Sequence, residues 1–262
     1  MSNNFDIVEL SEIENDLIRK SKNELGDVIM LCFDLLKIIQ NPVSINKENE
    51  IFPLFQMQVV NGFFLSVMSC IRRHTVQCHL MLRHTLESLV FSCYSLYNFN
   101  IEFYGEKNDF EFIRFNVNKV IKKAYPFIAE NYPEQSDYIK RYKNCINLVY
   151  SHSCVHGASL NIGCIDNKYN GLFFDSYFDS YIREVLMYIN DLMIFSLKFF
   201  MKLSKDFKTF LFTSNIQCEV DEYEKRHNKI FNDYTQSEHG KKRIKEGDFN
   251  WLTEKKLNNN NE

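Results

Sequence analysis

The chain has little of what interrupts regular secondary structure. Its 262 residues include only 8 Gly and 4 Pro, whereas a sandwich or barrel of many short strands needs turn residues every few positions. Hydrophobic residues make up 45% of the chain, and 24 Phe and 14 Tyr supply material for a large core. We therefore predict an all-α fold, a multi-helix bundle around one main core.

The sequence also lacks an excess of charge, a secretory leader and paired cysteines. A formal charge of −3 gives no general attraction to nucleic acid or to anionic membranes. The first ten residues show no basic stretch followed by an apolar one. The eight cysteines form no C-x-x-C pair and mostly stand in apolar runs, as reduced core thiols do. We expect a cytoplasmic protein.

No membrane span is expected either. The best candidate, residues 185–203, is interrupted by Asn190, Asp191, Lys198 and Lys202, and a span needs about 20 largely uncharged residues. We interpret this segment as a buried helix and predict no membrane partner.

Hydrophobic periodicity predicts helices over residues 11–40, 53–71, 75–97, 109–128, 136–156 and 176–203. The four prolines fall between the apolar segments. A break near Thr75 is favoured, although Arg72 to Thr75 could continue the preceding helix. Alternation between residues 159 and 174, with Asn170-Gly171 as the turn signal, predicts a small β-hairpin inserted before the long penultimate helix.

Composition changes near residue 212. We predict a helical domain over residues 1–212 and, over 213–262, a charged C-terminal helix with a partly disordered tail. The tail's basic cluster is nearly balanced by acidic residues, which favours a solvated segment over a nucleic-acid arm. That cluster comprises Lys241, Lys242, Arg243 and Lys245.

Three polar residues stand on the apolar face predicted for the helix over 76–97. His79, Arg83 and Glu87 lie among Leu80, Leu86 and similar residues, and Thr85, Ser88 and Ser92 point the other way. Because burying an unpaired charge costs several kcal/mol, we expect Arg83 and Glu87 to pair with each other or with inward-facing partners. Their spacing of four residues permits that pairing.

A second polar set lies on the helix predicted over residues 136–156. Its apolar stripe includes His152 and His156, with Ser153 nearby. If this stripe faces Arg83 and Glu87, imidazole, guanidinium and carboxylate groups meet in one cluster. Such a cluster is either a satisfied structural network or a catalytic site. A metal site of His152, His156 and Glu87 lacks any His-Glu-x-x-His pattern, so we predict neither metal nor cofactor.

Familiar enzyme constellations are absent from the sequence: it has no Gly-rich phosphate loop, no G-x-S-x-G elbow and no dinucleotide fingerprint. Two short motifs remain. The segment Leu82-Arg83-His84-Thr85-Leu86-Glu87 resembles the L-R-x-x-L-E signature of an uncharacterised family of all-helical bacterial proteins. Residues 150–157, from Tyr150 to Gly157, resemble its Y-x-x-S-x-x-H-G segment.

That family is distantly similar to HEPN domains, and the resemblance covers about residues 50–205. It implies a homodimer and a metal-independent ribonuclease of the kind found in toxin–antitoxin and phage-defence systems. The HEPN pattern is R-x(4–6)-H. Here His156 matches its histidine, but Val149, Tyr150 and Ser151 occupy the arginine positions.

The resemblance then implies that Arg83 supplies the guanidinium from a neighbouring helix, and that His156 is the acid or base. Glu87 would orient Arg83 or His79, and Ser153 would bind phosphate, with His152 and Tyr150 in support. A second assignment takes Arg72 or Arg73 with His79. The alternative function is a non-catalytic module that binds a nucleotide, RNA or a protein partner.

Overall fold

The computed structural model describes residues 6–40, 44–45, 49–107, 113–115, 117–147, 162–165, 168–171, 174–175, 179–208 and 210–246. It confirms the predicted all-α class and the multi-helix bundle. The chain divides into two compact units, Met1–Ile216 and Gln217–Glu262.

Helices make up most of the first unit. They are α1 (Ile7–Gln40), α2 (Ile51–Ile71), α3 (Thr75–Tyr97), α4 (Ile101–Tyr104), α5 (Val117–Asn131), α6 (Pro133–Ile146) and α7 (Asp179–Phe207). The short strands are β1 (Ser44–Ile45), β2 (Gly105–Lys107), β3 (Ile113–Phe115), β4 (Ile162–Ile165), β5 (Lys168–Gly171) and β6 (Phe210–Leu211).

The strands form three antiparallel pairs, β1 with β6, β2 with β3, and β4 with β5. The hairpin of β4 and β5 precedes α7, as predicted. Asn170 and Gly171 do not form its turn, however. They lie within β5, where Asn170 pairs with Gly163 and Gly171 with Ile162.

The core of the first unit lies where α1, α2 and α3 pack against α7. Fully buried aromatic side chains fill one end of it, where Phe52 stacks on Phe210 at 4.4 Å between ring centroids and meets Phe200 edge-on at 6.1 Å. Apolar burial of this kind, rather than helix propensity alone, stabilises such helices.

The break between α2 and α3 is confirmed, and its geometry is a Schellman motif. Arg73 adopts a left-handed conformation with φ of 64°. Its N–H donates to the carbonyl of Cys70, and the N–H of His74 donates to that of Ser69. These are the two hydrogen bonds that close a helix with a left-handed residue just past its end.

Two predictions about the middle of the chain are wrong. The helix predicted over residues 109–128 begins only at Val117, because Ile113–Phe115 pairs with Gly105–Lys107 as a strand. Pro126 does not separate helices but lies inside α5. A proline there forgoes one backbone hydrogen bond, which the packing of α5 on α3 and α6 offsets.

The buried face of α3 also differs from the prediction. Thr85, Ser88 and Ser92 are buried, whereas Leu80 and Tyr97 are exposed. The reason is close helix packing: a Cβ atom added to Gly62 of α2 would lie 2.1 Å from Thr85 Oγ1. Small hydroxyl side chains permit this approach. Thr85 Oγ1 donates to the Met81 carbonyl of its own helix at 2.7 Å, and Ser88 Oγ donates to Gln58 Oε1 of α2 at 3.2 Å.

Within the described residues, α2 is the helix long and apolar enough to cross a membrane by length and composition, and 61% of the apolar window is buried in the structure. The prediction instead singled out residues 185–203. It overlooked that Ile51–Ile71 contains no charged residue. Core helices of folded domains have the same composition.

The second unit contains α8 (Ile216–Gln236) and α9 (Glu238–Glu246). Two helices therefore stand where the sequence predicted one. Ser237 separates them, and its Oγ accepts a hydrogen bond from the N–H of Gly240 at 3.1 Å. A serine that accepts from the third residue of a helix is an N-cap, which starts a new helix at this point.

Candidate functional site

Arg83 and Glu87 pair on α3, as their spacing predicts. Arg83 Nε lies 3.5 Å from Glu87 Oε1, and the two side chains are 38% and 27% exposed. They therefore lie at the border of the bundle rather than deep in its core. A group at such a border is shielded enough to strengthen its electrostatic interactions and still reaches solvent.

Lys143 of α6 joins this pair and was missed in the sequence. Its Nζ donates to the same Glu87 Oε1 at 2.8 Å, and its side chain is 17% exposed. The contact connects α6 to α3, two helices that pack against each other. Lys143 lies in the last turn of α6, where a cation also complements the helix dipole, but the sequence carried no such signal because the predicted helix extended to residue 156.

Tyr125 of α5 is the fourth member. Lys143 Nζ donates to Tyr125 Oη and lies 4.7 Å from the centre of the ring. Burial raises the pKa of Tyr125 above its ordinary value, and the charges of Lys143 and Arg83 offset part of that rise. We call Arg83, Glu87, Tyr125 and Lys143 the Arg83 cluster; it holds two cations and one carboxylate.

His79 lies one helical turn before Arg83 but is bound to the backbone. It is buried, and because a carbonyl only accepts, its Nδ1–H donates to the Thr75 carbonyl at 2.8 Å. Its ring lies 6.2 Å from that of Tyr188 of α7. This environment is that of a hydrogen-bonded core histidine, which agrees with a structural role.

The other predicted site residues fall outside the described part of the chain. His156, Ser153, His152 and Tyr150 belong to residues 148–161, whereas the described part of α6 ends at Ile146. The structure therefore brings together Arg83 and Glu87 from the predicted site, with Lys143 and Tyr125 added.

The second assignment takes Arg72 or Arg73 with His79, and both arginines pair with a carboxylate. Arg72 Nε lies 3.7 Å from Glu14 Oε1. Arg73 is 4% exposed and forms an ion pair with Asp179 of α7. Asp179 also lies 3.1 Å from Lys20 Nζ of α1. A buried guanidinium bound to a carboxylate is poorly suited to receive a phosphate, so the geometry favours Arg83 over Arg73.

Two aspartates hold the α2–α3 turn. The N–H of Asp175 donates to the Arg73 carbonyl at 2.9 Å, and Asp175 Oδ2 accepts from the N–H of Thr75 at 2.6 Å.

Burial by itself raises the pKa of Asp179, but hydrogen bonds from Lys20, Glu24 and Arg73 outweigh it and hold that pKa below the ordinary value. The hydrogen bond to Asp179 correspondingly raises the pKa of Glu24.

No family model, curated protein or solved structure matches the chain. Within the described ranges, no three His, Cys, Asp or Glu side chains come together as a group that could hold a metal ion. The chemistry of the site therefore has to be argued from its own residues.

Proposed function

We propose that the chain is a HEPN-like, metal-independent endoribonuclease whose phosphate-binding element is the Arg83 cluster. The observation that carries the proposal is the partial exposure of two cations that share one carboxylate oxygen. Such a cluster has a net positive charge at a border open to solvent, although the chain as a whole is acidic. Phosphodiester groups bind to sites of this kind.

The guanidinium group of Arg83 has the shape and the donors that bind a phosphate group. A guanidinium has five N–H donors in a planar fork, and the ion pair with Glu87 is made through Nε. Glu87 thus orients the fork, which is the positioning role that the sequence assigned to it. Lys143 adds a second positive charge near the place where negative charge accumulates on the phosphate oxygens during cleavage.

In this proposal, His156 is the acid or base that transfers protons during cleavage. Cleavage without a metal requires removal of a proton from the ribose 2′-hydroxyl and protonation of the leaving 5′ oxygen, and imidazole does both near neutral pH. Ser153 would donate to a phosphate oxygen. Both roles rest on the motif resemblance, as does the assignment to toxin–antitoxin or phage-defence biology; the cytoplasmic location rests on the unpaired cysteines.

A second candidate function is a non-catalytic module that binds RNA, a nucleotide or a protein. One observation favours it: Glu87 Oε1 already accepts from Lys143 at 2.8 Å and pairs with Arg83. Charged groups satisfied in this way also occur in networks that only fix the packing of helices.

The test is cleavage of labelled RNA by the purified full chain in excess chelator. We expect His156→Ala, Arg83→Ala and Lys143→Ala to lower the rate about 100-fold or more, since each removes a group acting on the transition state. Arg19→Ala and Lys140→Ala are matched controls, because both residues are exposed and pair with an aspartate on their own helix. They should retain the wild-type rate.

The outcomes separate the two candidates. If the folded wild type leaves RNA intact but binds it, and Arg83→Ala abolishes binding, the binding module is correct. Cleavage that survives in folded Arg83→Ala and Lys143→Ala proteins would remove the cluster from the mechanism.

A further inference from the structure

Two aromatic rings are exposed where α3 ends. Tyr97, the last residue of α3, is 62% exposed, and Phe99, two residues further on, is 56% exposed. An exposed aromatic ring leaves a large apolar surface in water, and two of them close together are more typical of a binding site than of ordinary surface. Their neighbours in the structure restrict what they bind.

The neighbours of Tyr97 are further aromatic rings. Tyr97 stacks on Phe127 of α5 with 4.7 Å between the ring centroids. Phe127 and Phe103 of α4 both contact the buried ring of Tyr94, at 5.5 Å and 5.7 Å between centroids. Phe103 and Phe127 are half-buried, so each keeps part of its ring in solvent. We call Tyr97, Phe99, Phe103 and Phe127 the aromatic platform.

Hydrogen bonds fix the turn that presents Phe99. Tyr104 Oη donates to the carbonyl of Asn98 at 2.7 Å, and the N–H of Asn100 donates to Asn98 Oδ1 at 3.3 Å. Asn100 also caps α4, because its Oδ1 accepts from the N–H of Glu102 at 3.0 Å. A surface that is already ordered loses less entropy on binding than a flexible one.

Three lysines lie beside the platform, at the start of α5. Lys119 Nζ is 4.7 Å from the centre of the Phe103 ring. Lys119, Lys122 and Lys123 are all exposed. At 100° per residue, Lys122 and Lys123 stand within about 60° of Lys119 around the helix. The three ammonium groups therefore share one side of α5.

The charge of this surface is positive, although the net charge of the chain is −3. Among the described side chains of α4 and α5, the carboxylates beside the three lysines are Glu102 and Glu130. Glu130 stands seven residues beyond Lys123, about 10 Å along the helix axis. At that distance water and salt screen most of its effect on the lysines. An anionic partner is complementary to such a surface.

Aromatic rings next to ammonium groups match a single-stranded nucleic acid. Each base has a flat face that stacks on an aromatic ring, and each phosphate carries a negative charge for a lysine. A duplex hides its base faces in its own stack and meets the lysines only. An acidic peptide would also pair with the lysines, but it has no base to stack on the platform.

The three lysines also lie between the platform and the Arg83 cluster. Phe127 and Tyr125 stand at opposite borders of the buried face of α5, which contains Ala124 and Ile128. At 100° per residue, the lysines fill the exposed face of α5 from Phe127 round to Tyr125. A strand whose bases stack on the platform can therefore cross α5 over the lysines and reach the Arg83 cluster.

We propose that the aromatic platform and the three lysines of α5 form a binding site for single-stranded RNA that leads the strand to the Arg83 cluster. The choice of RNA and its path to the cluster rest on the proposed function. Binding of a single strand rests on the platform and the lysines alone.

The first test is fluorescence anisotropy of the full chain with a labelled 2′-O-methyl oligouridine of about 12 nucleotides. The methyl group blocks the 2′-hydroxyl, so the probe measures binding without cleavage. Phe99→Ala should weaken binding about 5- to 100-fold, the usual effect of losing one stack between a base and an aromatic ring.

Two further variants separate stacking from apolar contact. Phe99→Leu should weaken binding as Phe99→Ala does, and Phe99→Trp should retain it, because a base stacks on a ring and not on an aliphatic side chain. Phe64→Ala is the matched control: Phe64 is 42% exposed on α2, outside the platform, and this variant should bind like the wild type.

The second test measures the contribution of the lysines through salt. Lys122→Ala/Lys123→Ala should reduce the slope of log Kd against log salt concentration by about 1.4, since each phosphate contact of a single strand contributes about 0.7. Lys22→Ala/Lys37→Ala removes two exposed lysines of α1, and it should keep the slope of the wild type.

Competing strands identify the ligand. A duplex of the same length should bind at least about 10-fold more weakly than the single strand, because its bases are not free to stack. Single-stranded DNA should bind no more tightly than RNA. A tighter complex with DNA would make DNA the ligand and overturn the assignment to RNA.

The outcomes separate this site from the proposed function. Binding of the single strand that is lost in Phe99→Ala supports the site even if the folded wild type leaves RNA intact. The site is wrong if the folded wild type binds no single strand, or if Phe99→Ala and Lys122→Ala/Lys123→Ala bind like the wild type. A chain that gives either result and still cleaves RNA retains the proposed function without this site.

Discussion

Among single residues, Arg73 combines a left-handed backbone conformation with an ion pair to Asp179. A left-handed conformation costs a non-glycine residue about 1 kcal/mol, and the helix end that Arg73 closes usually has glycine there. The Arg73 side chain is buried, and its ion pair with the partly exposed Asp179 fixes it on α7. The turn is thereby attached to the core helix as well as to the helices it joins.

Removing the carboxylate tests this attachment. Asp179→Asn should lower the free energy of unfolding by about 2 kcal/mol, less than for a fully buried pair because Asp179 is 34% exposed. Asp16→Asn, whose pair with Arg19 is exposed on both sides, should cost less than about 0.5 kcal/mol. Equilibrium denaturation of the two variants gives the comparison.

The same pair predicts a pH dependence. Because the pKa of Asp179 is held below the ordinary 3.8, its contribution to stability is complete above that value and is lost as the pH falls through the folded-state pKa. Asp179→Asn should therefore lose less stability than the wild type on acidification. Equal acid sensitivity of the two proteins would contradict the assigned role.

The residues of the Arg83 cluster differ in how well the sequence could predict them. Arg83 and Glu87 are four apart on one helix, so local geometry alone gives their pairing. Lys143 and Tyr125 lie on two other helices, and their contact depends on how α5 and α6 pack on α3. Helical periodicity predicts which face is apolar but not which neighbour that face meets.

At the scale of elements, α2 and α3 show why the buried face of α3 was predicted wrongly. The prediction counted hydroxyl residues as outward-facing. At Gly62 and Thr85 the two helices approach so closely that only small side chains fit, and the hydroxyl group of Thr85 donates to a carbonyl of its own helix. Where helix backbones meet at short range, small size determines burial more than polarity does.

Gly62→Ala tests this contact. The added methyl group meets Thr85 Oγ1 at 2.1 Å, so the variant should be destabilised by about 1–3 kcal/mol. Gly26→Ala on α1, where the added Cβ meets no atom within 4 Å beyond its chain neighbours and the backbone of its own helix, should be neutral or stabilising by up to about 1 kcal/mol.

The double variant gives the sharper comparison. Thr85→Ala removes the oxygen that the new methyl group would meet. The double variant should therefore lose less free energy of unfolding than the two single variants lose in total. Strict additivity would show that Gly62 and Thr85 do not approach each other as closely as the structure places them.

At the scale of the whole molecule, composition predicted the class of fold well. Few glycines and prolines with abundant aromatic residues specify a helical bundle, and the hairpin before α7 followed from alternating residues. Short strands such as β2 and β3 were not predictable, because three residues are too few to show a period.

Thiol accessibility tests the assembled core. Cys32, Cys70, Cys78 and Cys93 are buried, and Cys145 and Cys218 are exposed. Burial also raises the pKa of the Cys32 and Cys93 thiols, which further lowers their reactivity. Alkylation of the native protein followed by peptide mapping should label Cys218 first, then Cys145, whose thiol pKa is raised by partial burial, and the four buried thiols only after unfolding.

Rapid labelling of any of those four in the native state would show that the packing of α1, α2 and α3 on α7 is looser than described. Slow labelling with the rate of global unfolding would agree with a tightly packed core.

We propose that this chain cleaves RNA through the Arg83 cluster and His156 without a metal ion. The most direct measurement is incubation of end-labelled RNA with the full chain in excess chelator, with the termini of the products identified. The account predicts cleavage that leaves 2′,3′-cyclic phosphate ends and spares a position with a 2′-deoxyribose, since the 2′-hydroxyl is the nucleophile. RNA that remains intact, or cleavage that stops when the chelator is added, would contradict it.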